Sequence, residues 1–231
     1  MEDSYLGSMS RAQVLERSPK KRAVLEKDKL SKRTSIIQAA ASILQKKDWS
    51  ELSMDEVAKR AKIAKGTLYL YFPTKEDLCL RIHSADYETW FLDLNEFLNS
   101  CSQLDAKKFS NWFVQSTDRH TRFLKLLPIV PTILEKNASI QTIREFKTNI
   151  KLQISNVLPQ LIHFFPFFNE QTGFLFLMQC HALAVGSWSH GFPSNQVREA
   201  VKDTDLELFV LDYKNFLETS ILHLLKGHSA T

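Results

Sequence analysis

Glycine and proline are scarce: the 231 residues hold six of the first and seven of the second. A β-sandwich needs many tight turns and would use more of both, so that class is excluded. No run of about 18 apolar residues occurs, which leaves no membrane span to expect. The N-terminus has no apolar core of the secretory type, and the expected location is the cytoplasm. Three cysteines, Cys79, Cys101 and Cys180, lie far apart with no CxxC pair. They indicate neither a zinc site nor a disulfide framework, and read as small buried residues. The seven histidines include no HExxH pair. His181 and His190 stand nine apart and His223 and His228 five apart, so neither pair shares a helix face. Gly186 and Gly191 are misplaced for a nucleophile elbow around Ser187, and no glycine-rich phosphate loop exists. The sequence therefore predicts no enzyme, no metal and no cofactor.

What is present is unevenly charged. Residues 1–83 hold 17 lysines and arginines against 11 aspartates and glutamates, and the remaining 148 hold 13 against 15. A basic N-terminal third on a slightly acidic body suits a polyanion binder, although a solvated charged face gives the same count. Apolar periodicity then divides the head into helices. Ile37, Ala40, Ala41 and Leu44 share one face of a helix expected over Thr34 to Lys47. Asp48 to Glu51 break it. Ser53-Met54-Asp55-Glu56 has the form of a capping box opening a second helix, with Met54, Val57, Ala58 and Ala61 on one face. A third helix is expected over Lys65 to Tyr71 and stops before Pro73, with Leu68 and Phe72 facing inward. That leaves Lys65, Thr67, Tyr69 and Tyr71 outside. Lysine and tyrosine bond phosphate, threonine meets a base edge, and glycine, here Gly66, lets a backbone come close. Helix, short helix, turn and exposed helix is the arrangement that puts its last helix into a major groove about 12 Å wide.

The stretch from Thr34 to Leu78 resembles the N-terminal domain of the tetracycline-repressor (TetR) family of bacterial transcriptional regulators. The residues that carry the likeness are Ile37, Ala39-Ala40, Leu44, Trp49, Ser53-Met54, Val57-Ala58, Ala61 and the run Lys65-Gly66-Thr67-Leu68-Tyr69-Leu70-Tyr71-Phe72-Pro73-Thr74-Lys75-Glu76-Asp77-Leu78. The resemblance implies that Lys65, Gly66, Thr67 and Tyr69 approach bases and that Tyr71, Lys75 and Thr34 bind phosphate. Ser53 belongs to the same DNA-contacting set. Thr34 and Lys75 are expected at helix starts, where backbone N–H groups attract phosphate. Three positions depart from the family pattern. Lys62 stands where glycine is usual in a left-handed turn, Ala64 where serine caps the third helix, and Asp48 where glycine is common.

Beyond residue 78 the pattern is helical throughout. Helices are expected over Leu78–Cys101, residues 105–125, Ile140–Pro159 and Gly173–Ser189, with Pro128 and Pro131 interrupting. Thr204-Asp205-Leu206-Glu207 reads as a capping box opening a last helix that runs to about Lys226. The aromatic turn His163 to Phe168 is read as core packing, with the lining of a pocket as the alternative. The fold class is accordingly all-α: a flexible basic extension over 1–30, a helix-turn-helix DNA-binding domain over 31–78, and a helical ligand-binding and dimerisation domain over 79–231. Within the extension, Ala23, Val24, Leu25 and Leu30 allow a helical arm from Lys20 to Lys32 as the other reading. The resemblance implies a homodimer through roughly residues 170–226 on double-stranded operator DNA, probed by a small-molecule effector. Acidic residues are sparse between Phe109 and Trp188, which suits an apolar or amphipathic ligand, with Trp90, Phe113, His120, Phe123, Phe146 and His181 as candidate contacts. The alternative is a helical small-molecule-binding or scaffolding protein whose head has lost sequence-specific DNA binding.

Overall fold

The computed structural model describes residues 19–230, with side chains from residue 27 onward, and every regular element among them is helical. In chain order these are α1 (Pro19–Leu44), α2 (Met54–Arg60), α3 (Lys65–Tyr71), α4 (Lys75–Ser100), α5 (Ala106–Arg119), α6 (Thr121–Leu126), α7 (Glu135–Asn137), α8 (Ile140–Phe164), α9 (Glu170–Gly191), α10 (Asn195–Val201) and α11 (Tyr213–Ser229). Of the flexible extension expected over residues 1–30, residues 1–18 lie outside the described residues, and residues 19–30 are not flexible coil but the first turns of α1.

The head is α1 to α3 with the first turns of α4. Ile36, Ala40, Ile43, Val57, Leu68 and Phe72 are all buried and close a small core, which is the 3.6-residue periodicity of three short helices expressed in space. The first helix does not start at Thr34. It begins at Pro19 and passes through Thr34 without a break, and the threonine hydroxyl donates to the Leu30 carbonyl at 3.0 Å. The earlier residues lack a stop signal, and a continuing helix satisfies their backbone groups. Thr34 therefore has no free helix N-terminus to offer.

α4 is the spine. It joins the head and packs along its length on α8, while α11 packs on α5 and α9. Thr74 caps it by accepting a bond from the Asp77 N–H at 3.0 Å. Asp77, itself buried, accepts from the Thr74 hydroxyl at 2.9 Å and from the Ser139 N–H at 2.9 Å, which ties the start of α4 to the start of α8. Burial alone raises its carboxyl, but the hydrogen bonds from Ser139, Thr142 and Thr74 outweigh that and hold it below the usual range.

Four boundaries differ from the periodic reading. Residues 105–125 form two helices, because the chain turns at His120 (φ −117°, ψ 47°) between α5 and α6. Around the two prolines it winds as a 3₁₀ turn over Leu127–Ile129 and a π turn over Val130–Leu134. α8 continues through Pro159 to Phe164: the proline is exposed, and buried Leu158 and Leu161 hold the other face. The last helix opens at Tyr213, where Asp212 accepts from the N–H groups of Lys214 and Asn215. Thr204 caps only a 3₁₀ turn over Asp205–Phe209.

Candidate nucleic-acid interface and ligand cavity

The turn between α2 and α3 is fixed by two backbone bonds, Lys62 N–H to Lys59 carbonyl at 3.2 Å and Ile63 N–H to Ala58 carbonyl at 3.1 Å. This paired closure requires a left-handed residue, and Lys62 supplies it with φ 56°. The departure from glycine noted in the sequence thus sits in the geometry that favours glycine. Ser53 holds the cap position of α2 in extended backbone, yet its side chain makes no capping bond. The expected reciprocal box is not formed, because Glu56 is drawn instead to Lys47, whose Nζ lies 2.9 Å from its Oε2. Ala64 likewise caps α3 without a side-chain bond.

α3 buries Leu68 completely and lays Phe72 beneath it. Lys65, Gly66, Tyr69 and Leu70 face outward, while Thr67 and Tyr71 are half-covered at the flanks. Lys65 Nζ is 2.7 Å from Asp55 Oδ1, and that hydrogen bond raises its pKa. Lys75, in the first turn of α4, sets its ammonium 4.1 Å from the Trp49 ring centre, and burial lowers its pKa. Ser53 and Thr34 are exposed on the same head. One residue on this face escaped sequence reasoning: Leu70, 84% exposed, which the helical period places outside but whose apolar character drew no attention.

In the body a cavity of about 840 Å³ opens among α4, α5, α6, α8 and α9. Its volume falls within the roughly 300–1,000 Å³ of small-molecule sites. Trp90, Phe113, Phe123, Phe146 and His181 line it together with Tyr87, Phe91, Leu124, Ile154 and Leu177. The exposed lining residues Lys147, Lys151, Ser155, Glu170, Gln171, Phe174 and Met178 lie on α8 and α9 and exposed Pro131 on the π turn, and together these form its mouth. Trp90 is fixed by a 2.9 Å bond from its indole N–H to Ser116 Oγ. His120 lies elsewhere: its Nε2 is 2.8 Å from Asp93 Oδ2, and the turn between α5 and α6 carries it away from the cavity. Sequence reasoning missed Tyr87, Glu135 and Lys147. Tyr87 shared its helix face with Trp90 and Phe91 and was legible, whereas Glu135 and Lys147 meet only through the winding around Pro131.

The aromatic turn does not reach this space. Phe165 and Phe168 pack into the core against Phe109 and Phe176. Cys79 and Cys180 are buried, and burial pushes both thiols upward. Among the described residues no cluster of histidine, cysteine and carboxylate side chains has the form of a metal site. No described helix is long and apolar enough to cross a membrane.

A helix-turn-helix head on a helical body is the arrangement of a DNA-binding transcriptional regulator. The family described as "Tetracyclin repressor-like, C-terminal domain" matches residues 84–231, and "Bacterial regulatory proteins, tetR family" matches 36–82. The chain belongs to the TetR family of transcriptional regulators. It is similar to the uncharacterized HTH-type transcriptional regulator YuxN of Bacillus subtilis, 39% identical over 66 residues, which are 29% of this chain and 21% of that protein. It is also similar to the fatty acid metabolism regulator protein of the same organism, 36% identical over 56 residues, 24% of this chain and 29% of that one. The chain thus spans less than a third of the length of these curated relatives. Among solved structures, a possible TetR family transcriptional regulator of Streptomyces coelicolor A3(2) shares the fold, with a TM-score of 0.53 at 14% identity over 86% of this chain and 98% of that one.

Proposed function

We propose that this protein is a repressor that binds operator DNA as a two-fold dimer and releases it when a small, largely apolar ligand occupies the body. The observation that carries this reading is α4, one unbroken helix. Its first turn bears Lys75 beside the recognition helix, and its middle supplies Tyr87, Trp90 and Phe91 to the cavity wall. A ligand that favours one setting of α4 shifts the population of head orientations.

In this reading Lys65, Gly66, Thr67 and Tyr69 meet bases, and Tyr71, Lys75, Ser53 and Thr34 contact the backbone of the duplex. Thr34 does so from mid-helix, where its hydroxyl would exchange the Leu30 carbonyl for a phosphate oxygen. Two-fold pairing would use α9 and α11, within residues 170–226, where Phe174, Leu175, Met178 and Phe216 are exposed apolar side chains. The fatty acid metabolism regulator among the relatives is named for amphipathic molecules, and the cavity's walls of phenylalanine, leucine and isoleucine suit that class.

The test is retention of genomic fragments by the purified protein, followed by affinity measurements at several salt concentrations against random duplex. Specific retention, lost on Lys65→Ala and weakened uniformly by Lys75→Ala, supports the reading. Equal binding to random duplex would overturn it, and would favour the alternative of a helical binding protein with an inactive head.

A further inference from the structure

The cavity is not uniformly apolar. Where α4, α8 and α9 meet beside the π turn, four polar side chains gather: Tyr87, His181, Glu135 and Lys147. Glu135 and Lys147 hold each other, with Oε1 and Nζ 2.5 Å apart, and their charges cancel. The other two are unmatched. The Tyr87 hydroxyl has no hydrogen-bond partner among the described residues, although the residue is only 6% exposed and lies on the cavity wall. The His181 ring is in the same condition, with its plane 23° from that of Tyr87 and the ring centres 6.4 Å apart. Neither belongs to the buried polar atoms that are sealed from all space, as the two ring nitrogens of His83 behind them are. Their polar atoms therefore open onto the cavity.

Resting on the ligand-responsive reading above, we infer that Tyr87 and His181 grip the head group of the ligand, and that this head is a neutral hydrogen-bonding group such as a ketone, ester or alcohol rather than a carboxylate. The reasoning is a charge balance. Burial, with Lys147 adding to it, lowers the His181 pKa, so the ring is neutral at pH 7. Burial raises the Tyr87 phenol, so it keeps its proton and donates. Glu135 and Lys147 are already paired, and the other charged lining residues, Lys151 and Glu170, stand exposed at the mouth, so the corner itself has no net charge to offer. A carboxylate brought there would lose its water without gaining a counter-ion, whereas a carbonyl oxygen accepts from the Tyr87 hydroxyl at little cost. The hydrocarbon part then lies along Phe123 and Phe146.

The experiment uses the full-length protein without DNA, at pH 7.5, and reads the change in tryptophan emission, to which Trp90 on the cavity wall contributes beside Trp49, Trp112 and Trp188, on adding 2-dodecanone, dodecanoate or dodecane below their aggregation limits. The proposal expects 2-dodecanone to bind tightest, and Tyr87→Phe to weaken it about 3- to 10-fold, the worth of one neutral hydrogen bond. Dodecane affinity stays unchanged in that variant. Glu135→Gln, which leaves Lys147 uncompensated, raises dodecanoate affinity relative to the ketone. Tighter binding of dodecanoate than of the ketone by the unaltered protein overturns the proposal, as does a Tyr87→Phe variant with unaltered ketone affinity. Failure of all three probes to bind overturns it too. None of these results touches retention of operator DNA, so the broader reading is judged separately. Thermal melting of both variants confirms that they remain folded.

Discussion

Nothing lies within 4 Å of the place where a Cβ on Gly66 would stand, and the residue is helical with an ordinary φ. Neither space nor backbone requires glycine there. An alanine reduces the entropy lost on folding, so Gly66→Ala is expected to stabilise the head by about 0.5–1 kcal/mol in thermal or urea unfolding. If the bare backbone is needed against a duplex, the same substitution weakens operator binding roughly 5- to 10-fold, or about 1–1.4 kcal/mol. A variant that gains stability and keeps full affinity would remove Gly66 from the interface. His83 offers a second separation. It stacks on Phe123 with both ring nitrogens unbonded, and burial pushes its pKa from the ordinary 6.5 down to about 3. The unfolded chain takes up a proton below about pH 6.5 that the folded chain refuses until about pH 3. Stability is therefore full above the unfolded value and falls as the pH drops through that window, by up to ~1.4 kcal/mol per pH unit. His83→Leu keeps the volume and removes the titration. Melting temperatures between pH 6.5 and 4.5 are expected to decline less steeply in this variant; an equal decline assigns the acid sensitivity to other groups.

At the scale of elements, the turn between α2 and α3 concentrates strain in one residue. Lys62→Gly relieves the left-handed backbone and is expected to raise stability by about 0.5–1 kcal/mol, read as a shift of the urea midpoint at constant slope. A loss of stability would show that the Lys62 side chain contributes more than its backbone costs. This turn also shows what a sequence makes legible. The limits of α2 and α3 follow from local signals: Ser53 and Ala64 in extended backbone at one end, Pro73 at the other. The start of α1 was legible only as an arm allowed over Lys20 to Lys32. Its unbroken run into the helix expected from Thr34 was not legible, although Pro19 is compatible with a first helical turn and no breaker follows it before Asp48. Thr204 and Asp212 both precede suitable residues, and only packing of Tyr213 beside Trp188 decides which of the two opens the last helix. Five aromatic or histidine side chains of the cavity could be guessed from their place on amphipathic helices. Its polar corner could not, since Glu135 reaches Lys147 only across a π turn that periodicity does not describe.

For the molecule as a whole, α6 is the short element between head and cavity. Phe123 and Leu124 line the cavity, while Arg122 pairs with buried Asp86 of α4 and its Nη1 donates to the Ala41 carbonyl of α1 at 3.4 Å. Lys125 reaches toward Asp48 from the same helix, 3.5 Å away. Arg122→Met keeps the stem and removes these contacts. It is expected to cost roughly 3 kcal/mol of stability, because Asp86 stays buried without its partner, and Asp86→Asn in the same chain should recover part of that loss. The double variant retains binding in the cavity but shows a smaller effect of ligand on DNA affinity, measured by titrating duplex with and without ligand. An undiminished effect would place the connection in α4 alone. That helix, unbroken from Lys75 to Ser100, is about 39 Å long and touches both sites. On the proposed reading it makes the two binding events partners in one thermodynamic cycle, and such a cycle has no direction. Whatever factor the ligand takes from DNA affinity, DNA takes from ligand affinity. Each operator copy in a cell then lowers the ligand affinity of the dimer it holds, so the small molecule binds the protein less tightly when operator DNA is present than when it is absent.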